Sequence, residues 1–183
     1  MIFVSIAVSL TSQVSIGLMS SDFIVSAGII FFVASLFYYE DLKPIPTGTL
    51  SGVAVYFLRL IVYYLINGSL NNSIYLYLPE ILFYIFYSII YSLLVRKGNK
   101  NNLKFVLLVM IISDFGANLI EVFVRSAISM SSSPWEVGTT LLLVSIVRST
   151  IVWLVLNVFK YYRMLLMKEE HESRYKKLLW FTS

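Results

Sequence analysis

Long apolar runs separated by short polar breaks dominate the chain from its first residues. Six runs can be marked: about Ile2–Met19, Phe23–Tyr39, Thr49–Ile66, Ile74–Val95, Leu103–Ile128 and Val137–Phe159. Each comes close to or exceeds the ~20 mostly apolar residues that a helix needs to cross a bilayer. The breaks carry ordinary turn chemistry: MSSD, EDLKPIPTG, NGSLNNS, RKGNKNN and SMSSSPWE. Pro44 and Pro46 read as loop, because proline lacks the N–H that a helix interior requires. Pro79 falls near the start of the fourth run, where a neighbouring helix can satisfy the carbonyl it leaves open.

Composition turns these runs into a fold class. Of 183 residues, 58% are apolar and 13% charged, against about 25% charged in a soluble domain. A mean hydropathy of +0.82 over the whole chain needs several spans, not one anchor. The pattern predicts an all-α, polytopic membrane bundle of about six transmembrane helices with a cytoplasmic C-terminal helical extension. Residues 1–160 would form the bundle and 161–183 a helical linker. The 13 Tyr, 13 Phe and 3 Trp fit aromatic belts near both bilayer interfaces. MIFVSIAVSL has no basic n-region and no cleavage site, so it reads as a retained span. The absence of Cys excludes disulfides, Cys-ligated zinc and a thiol nucleophile.

Lys and Arg set an orientation. The break after the fourth run carries Arg96, Lys97, Lys100 and Lys104, and the stretch after the sixth carries Lys160, Arg163, Lys168, Arg174, Lys176 and Lys177. The breaks after the first, third and fifth runs carry none. Basic loops stay in the cytoplasm, and with six spans both basic stretches fall on one side. Both termini are therefore expected inside a bacterial cytoplasmic membrane. The net charge of +4 is a topology signal and implies no nucleic-acid partner. The sequons at Asn67 and Asn71 would lie outside but carry little weight in a chain of this kind.

Ionisable residues inside spans are costly and mark function by default. Here they are Arg59, Glu80, Asp114, Glu121, Arg125 and Arg148, three of each sign, joined by the polar Gln13, Asn118 and Asn157. Asp114, Asn118, Glu121 and Arg125 follow spacings of four, three and four, which place them on one helical face. That stripe must face the bundle interior or a water-filled cavity. The orientation biases the charges from mid-membrane toward the outside. Arg59, Glu80, Asp114, Asn118, Glu121, Arg125 and Arg148 are the candidate ligand-binding set, with acids for a cationic group and arginines for a carboxylate or phosphate. Two alternatives stand beside this reading: interhelical ion pairs that only fix packing, such as Glu121 with Arg125, and a proton relay.

From Asn157 the sixth run continues as NVFKYYRMLLMKEEHESRYKKLLWFTS without Pro or Gly. Val158, Tyr161, Leu165, Lys168, Glu172, Tyr175 and Leu179 alternate spacings of three and four, a heptad-like seam with polar interruptions. A dimerising stalk is expected, against an amphipathic helix lying on the inner leaflet. The pattern ends mid-helix on exposed aromatic residues, which suggests a piece of a longer protein. His171 in EEHES is read as a solvated helix residue.

The six-span layout, with LKPIPTGTLSGV before the third run and LPEILFY in the fourth, resembles the substrate-binding subunits of energy-coupling-factor vitamin transporters. YYRMLLMKEEHESRYKKLLWFTS resembles the linker after the membrane region of Gram-positive sensor histidine kinases. The transporter subunits carry an Ala-x-x-x-Ala pair on the first helix for docking, where this chain has Ser5 and Ser9. The resemblance implies a two-component sensor whose partners are a small-molecule ligand, the lipid bilayer, a second copy through the C-terminal helix and a kinase domain. A vitamin-type transporter subunit is the alternative. No catalytic motif is present, so the region itself reads as non-enzymatic, with no cofactor and no metal.

Overall fold

A computed structural model describes residues 1–17, 24–39, 41–70, 73–95, 102–129 and 138–181. Six helices carry the fold: α1 (Ile2–Thr11), α2 (Ala27–Tyr38), α3 (Pro44–Asn67), α4 (Ser73–Leu94), α5 (Leu103–Ser129) and α6 (Gly138–Phe181). Between α1 and α2 lies a short antiparallel ladder of β1 (Ser15–Gly17) and β2 (Ile24–Ser26). The fold is an α-helical membrane bundle. Four helices are long and apolar enough to cross a membrane, over Pro44–Asn67, Tyr77–Leu94, Lys104–Ala127 and Gly138–Tyr162.

The first two runs depart from expectation. α1 has 10 residues and α2 has 12, or about 15 and 18 Å at 1.5 Å per residue, well short of a ~30 Å hydrocarbon core. The helices stop where Val14-Ser15-Ile16-Gly17 and Ile24-Val25-Ser26 alternate β-branched residues with Ser and Gly. Such residues favour an extended backbone. The ladder pairs Ile16 with Val25, and the Ala27 N–H donates to the Val14 carbonyl at 2.8 Å. The ladder thus pairs backbone polar groups that neither helix satisfies.

The prolines also behave differently from the loop reading. Pro44 is the first residue of α3 and Pro46 lies in the same turn. First-turn N–H groups have no intrahelical acceptor, so proline loses nothing there and its fixed φ favours the helix. Within α4, Pro79 cannot donate to the Tyr75 carbonyl. The Tyr56 hydroxyl on α3 reaches the adjacent Ile74 carbonyl at 3.4 Å, so the loosened turn is braced from the next helix. The expected basic loop residues Arg96, Lys97 and Lys100, and Asn71, lie outside the described residues. α6 continues past residue 160 as one helix, as the absence of Pro and Gly predicts; its side chains from Arg163 onward, His171 included, also lie outside the described residues.

Neighbour relations close the bundle on itself. α3 packs on α4, α4 on α5, α5 on α6, α6 on α2, α2 on α1, and α1 on α3. Phe32 of α2 fills the middle, edge-on to Tyr84 and Tyr87 of α4 at 5.3 and 6.0 Å. Outward faces are apolar, with Phe3, Ile6, Phe57, Ile61, Leu108, Phe123 and Leu154 exposed as lipid-facing surface. Three tyrosines of α4 lie in the core: Tyr84, Tyr87 and Tyr91 are buried. Their rings supply large apolar area that the centre needs.

Small residues hold α3 close against α4. Thr47, Gly48, Ser51, Gly52 and Val55 form the buried face of α3. A Cβ on Gly48 would stand 2.6 Å from the Tyr84 carbonyl oxygen, and one on Gly52 would stand 3.0 Å from the Ile81 backbone. Backbone cannot move aside cheaply, so these glycines set the helix separation. Gly48→Ala is therefore expected to lower the melting temperature of the detergent-solubilised protein, with overpacking typically costing about 1–3 kcal/mol. Gly138→Ala, with nothing within 4 Å of its Cβ position, is the control. Equal thermal unfolding of the two variants would refute the close seam.

Candidate functional site

All six intramembrane charges are ion-paired. Arg59 on α3 meets Glu80 on α4 at 2.8 Å. Arg125 meets Glu121 one turn away on α5, through Nε at 3.0 Å and Nη2 at 2.8 Å. Arg148 on α6 holds Asp114 on α5 through Nε to Oδ2 at 3.0 Å and Nη2 to Oδ1 at 2.5 Å. Asn118 donates to the Asp114 backbone carbonyl and carboxylate at 2.6 and 3.3 Å. The seven residues singled out from sequence thus form three pairs and one accessory amide. The alternatives of packing pairs and a ligand site share this arrangement.

The pairs differ in burial, and that difference orders them. Side-chain exposure is 2% for Asp114 and 9% for Arg148, against 18% for Glu121 and 36% for Arg125. The α5 stripe therefore climbs from a sealed contact to a half-open one. Arg59 and Glu80 sit at 26% and 13%. Counting 1.5 Å per residue, Arg59, Glu80 and Glu121 each lie about 10–12 Å from the end of their helix at the same pole of the bundle. Glu121 and Arg125 are also close enough to Glu80 to act on its charge. Two pairs from three helices therefore share one end, and the sealed pair lies deeper.

Aromatic rings finish both levels. The Arg59 guanidinium lies over Tyr77 at 5.9 Å, and Tyr77 meets Tyr63 edge-on at 6.2 Å. The deeper Arg148 guanidinium lies over Phe83 at 5.2 Å. An arginine that stacks on a ring and forks onto a carboxylate is held in both directions. Tyr87, beside the deep pair, feels both Asp114 and Arg148. The tyrosines of α4 were missed from sequence because Tyr was counted as apolar. Glu80, Tyr84, Tyr87, Ser88 and Tyr91 repeat at four, three, one and three, a polar stripe of the same kind as on α5.

Among the described residues no group of three or more His, Cys, Asp or Glu could hold a metal ion. No protein-family model, curated protein or solved structure matches the chain. The site is therefore read from its own chemistry.

Removing one partner of a sealed pair leaves a bare charge in an apolar interior. Arg148→Ala is expected to destabilise the fold by about 3–5 kcal/mol, seen as loss of a monodisperse peak after detergent extraction. Arg125→Ala opens a half-exposed pair, which is worth a few tenths of a kcal/mol in a helix, and should leave that peak intact. Equal damage from both variants would contradict the burial order.

Proposed function

We propose that this chain is the membrane sensor region of a two-component histidine kinase. It takes a small polar ligand at the Arg59, Glu80, Glu121 and Arg125 end of the bundle and signals through α6. One observation carries the reading. Arg148 of α6 clasps Asp114 on the α5 stripe that leads to Glu121 and Arg125, and α6 then continues unbroken to Phe181. Any shift of α5 at the charged end is felt by the helix that leaves the bundle. The 19 residues beyond Tyr162 add about 28 Å of helix, enough to reach a second copy and a kinase core.

The Lys/Arg asymmetry supports an external position for the charged end, with both termini in the bacterial cytoplasm. Alternating acids and arginines suit a zwitterion, with its carboxylate or phosphate forked on an arginine and its amine on an acid. Such a ligand exchanges internal ion pairs for external ones. It drives signalling only to the extent that it prefers one bundle arrangement. The transporter reading has one observation against it: Ser5 and Ser9 are buried, and Ser51 of α3 donates to Ser5 at 3.3 Å. They face their own bundle and are not presented to a docking partner.

Because the chain lacks Cys, single cysteines report cleanly. Ser69→Cys should react with a membrane-impermeant maleimide in intact cells, and Asn102→Cys only after permeabilisation. The reverse pattern would remove the external site. In a thermal-shift screen of zwitterionic metabolites, a stabilising ligand should lose its effect in both Arg59→Ala and Glu80→Gln. Retention in both variants would place binding elsewhere, and co-purification with an ATPase module would favour the transporter.

A further inference from the structure

We infer that the layer around Asp114 and Arg148 is an internal hydrated site, in which ordered water bridges the hydroxyls of Tyr91, Ser113 and Ser145. These three oxygens are fully buried and have no hydrogen-bond partner among the described residues. They come from three helices, α4, α5 and α6. Helix register brings them to one level. Ile90 of α4 lies against Gly116 of α5, and Asp114 of α5 against Arg148 of α6. In antiparallel neighbours this sets Tyr91 beside the Ser113–Asp114 turn. Ser145 lies one turn from Arg148 and beside the Asp114 carboxylate. Tyr91 stacks on Tyr87 at 6.4 Å.

The chemistry selects a neutral dipole. Each hydroxyl can donate once and accept twice, and a buried water makes two to four hydrogen bonds. Both oxygens of Asp114 are engaged by Arg148, so the layer carries no net charge. A cation there would face the guanidinium and an anion the carboxylate. The side chains near this level on α5 and α6 are small and buried: Ser113, Ala117, Ser145 and Ser149. Genuinely orphaned buried hydroxyls are rare, and water is their usual partner.

Hydration would also change what the ion pair can do. In a dry interior, any separation of Asp114 from Arg148 leaves two bare charges. Water beside the pair offers each a temporary partner, so α6 can shift against α5 without that penalty. The inference does not depend on the sensor reading; it follows from the hydroxyls alone.

The test is a sign. Tyr91→Phe and Ser113→Ala are made in the full chain in nanodiscs and melted by intrinsic fluorescence. If water bridges the hydroxyls, each variant loses a satisfied hydrogen bond and melts a few degrees lower. If the hydroxyls are dry, deleting them relieves an unpaired polar group, and the melting temperature is unchanged or raised, which overturns the inference. X-ray radiolytic labelling in isotopic water supplies a second readout. Tyr91 should be labelled despite its burial, while the equally buried Phe32 stays unlabelled. Matching protection of both residues overturns it. A melting temperature that rises with sodium chloride but not choline chloride, and only when Ser113 is present, would assign a cation and overturn it too.

Discussion

A guanidinium and a carboxylate cannot stand alone in hydrocarbon, and much of this bundle follows from how Arg148 and Asp114 meet that constraint. The two groups fork onto each other between α5 and α6, with Phe83 over the guanidinium and Asn118 against the aspartate. The forked geometry fixes rotation as well as distance. It therefore sets which faces of α5 and α6 look inward. The Asn118–Glu121–Arg125 stripe then follows by helical geometry, and Leu108, Ile112 and Phe123 turn outward.

The rest of the ring closes on similar terms of close approach. Gly48 and Gly52 let α3 lie against α4, which brings Arg59 within reach of Glu80. Phe32 plugs the middle from α2 against the tyrosines of α4. At the far end, the Tyr38 hydroxyl on α2 donates to the Leu156 carbonyl on α6 at 2.9 Å, and the Tyr38 ring meets Phe159 edge-on. α6 is thus gripped at two levels, by Asp114 deep in the bundle and by Tyr38 near its exit.

How much was legible in the sequence depended on whether the signal was local. The four long spans were read directly, since each is a long, mostly apolar run. The Glu121–Arg125 pair was legible because its partners are one turn apart on one helix. The break in the first two runs was not, because Val14 to Ile16 and Ile24 to Val25 are apolar in any window. Only their β-branching hints at an extended backbone. The partners of Asp114 and Glu80 were hidden for a different reason: cross-helix pairing depends on neighbour order and register, which hydropathy does not encode. The burial of Tyr84, Tyr87 and Tyr91 was not legible because tyrosine serves interfaces and cores alike, and only the spacing with Glu80 and Ser88 marks the inward face of α4.

Asp114 and Arg148 join α5 to α6 by direct energetic coupling. A double-mutant cycle with Asp114→Asn, Arg148→Gln and the combined variant, followed by equilibrium unfolding in mixed micelles, measures it. The expected result is a coupling of at least about 1 kcal/mol, above the ~0.6 average for neutral interhelical hydrogen bonds in membranes, with the double variant more stable than the two single losses predict. Additive losses, with no coupling, would mean that the pair does not join α5 to α6 and would contradict the account.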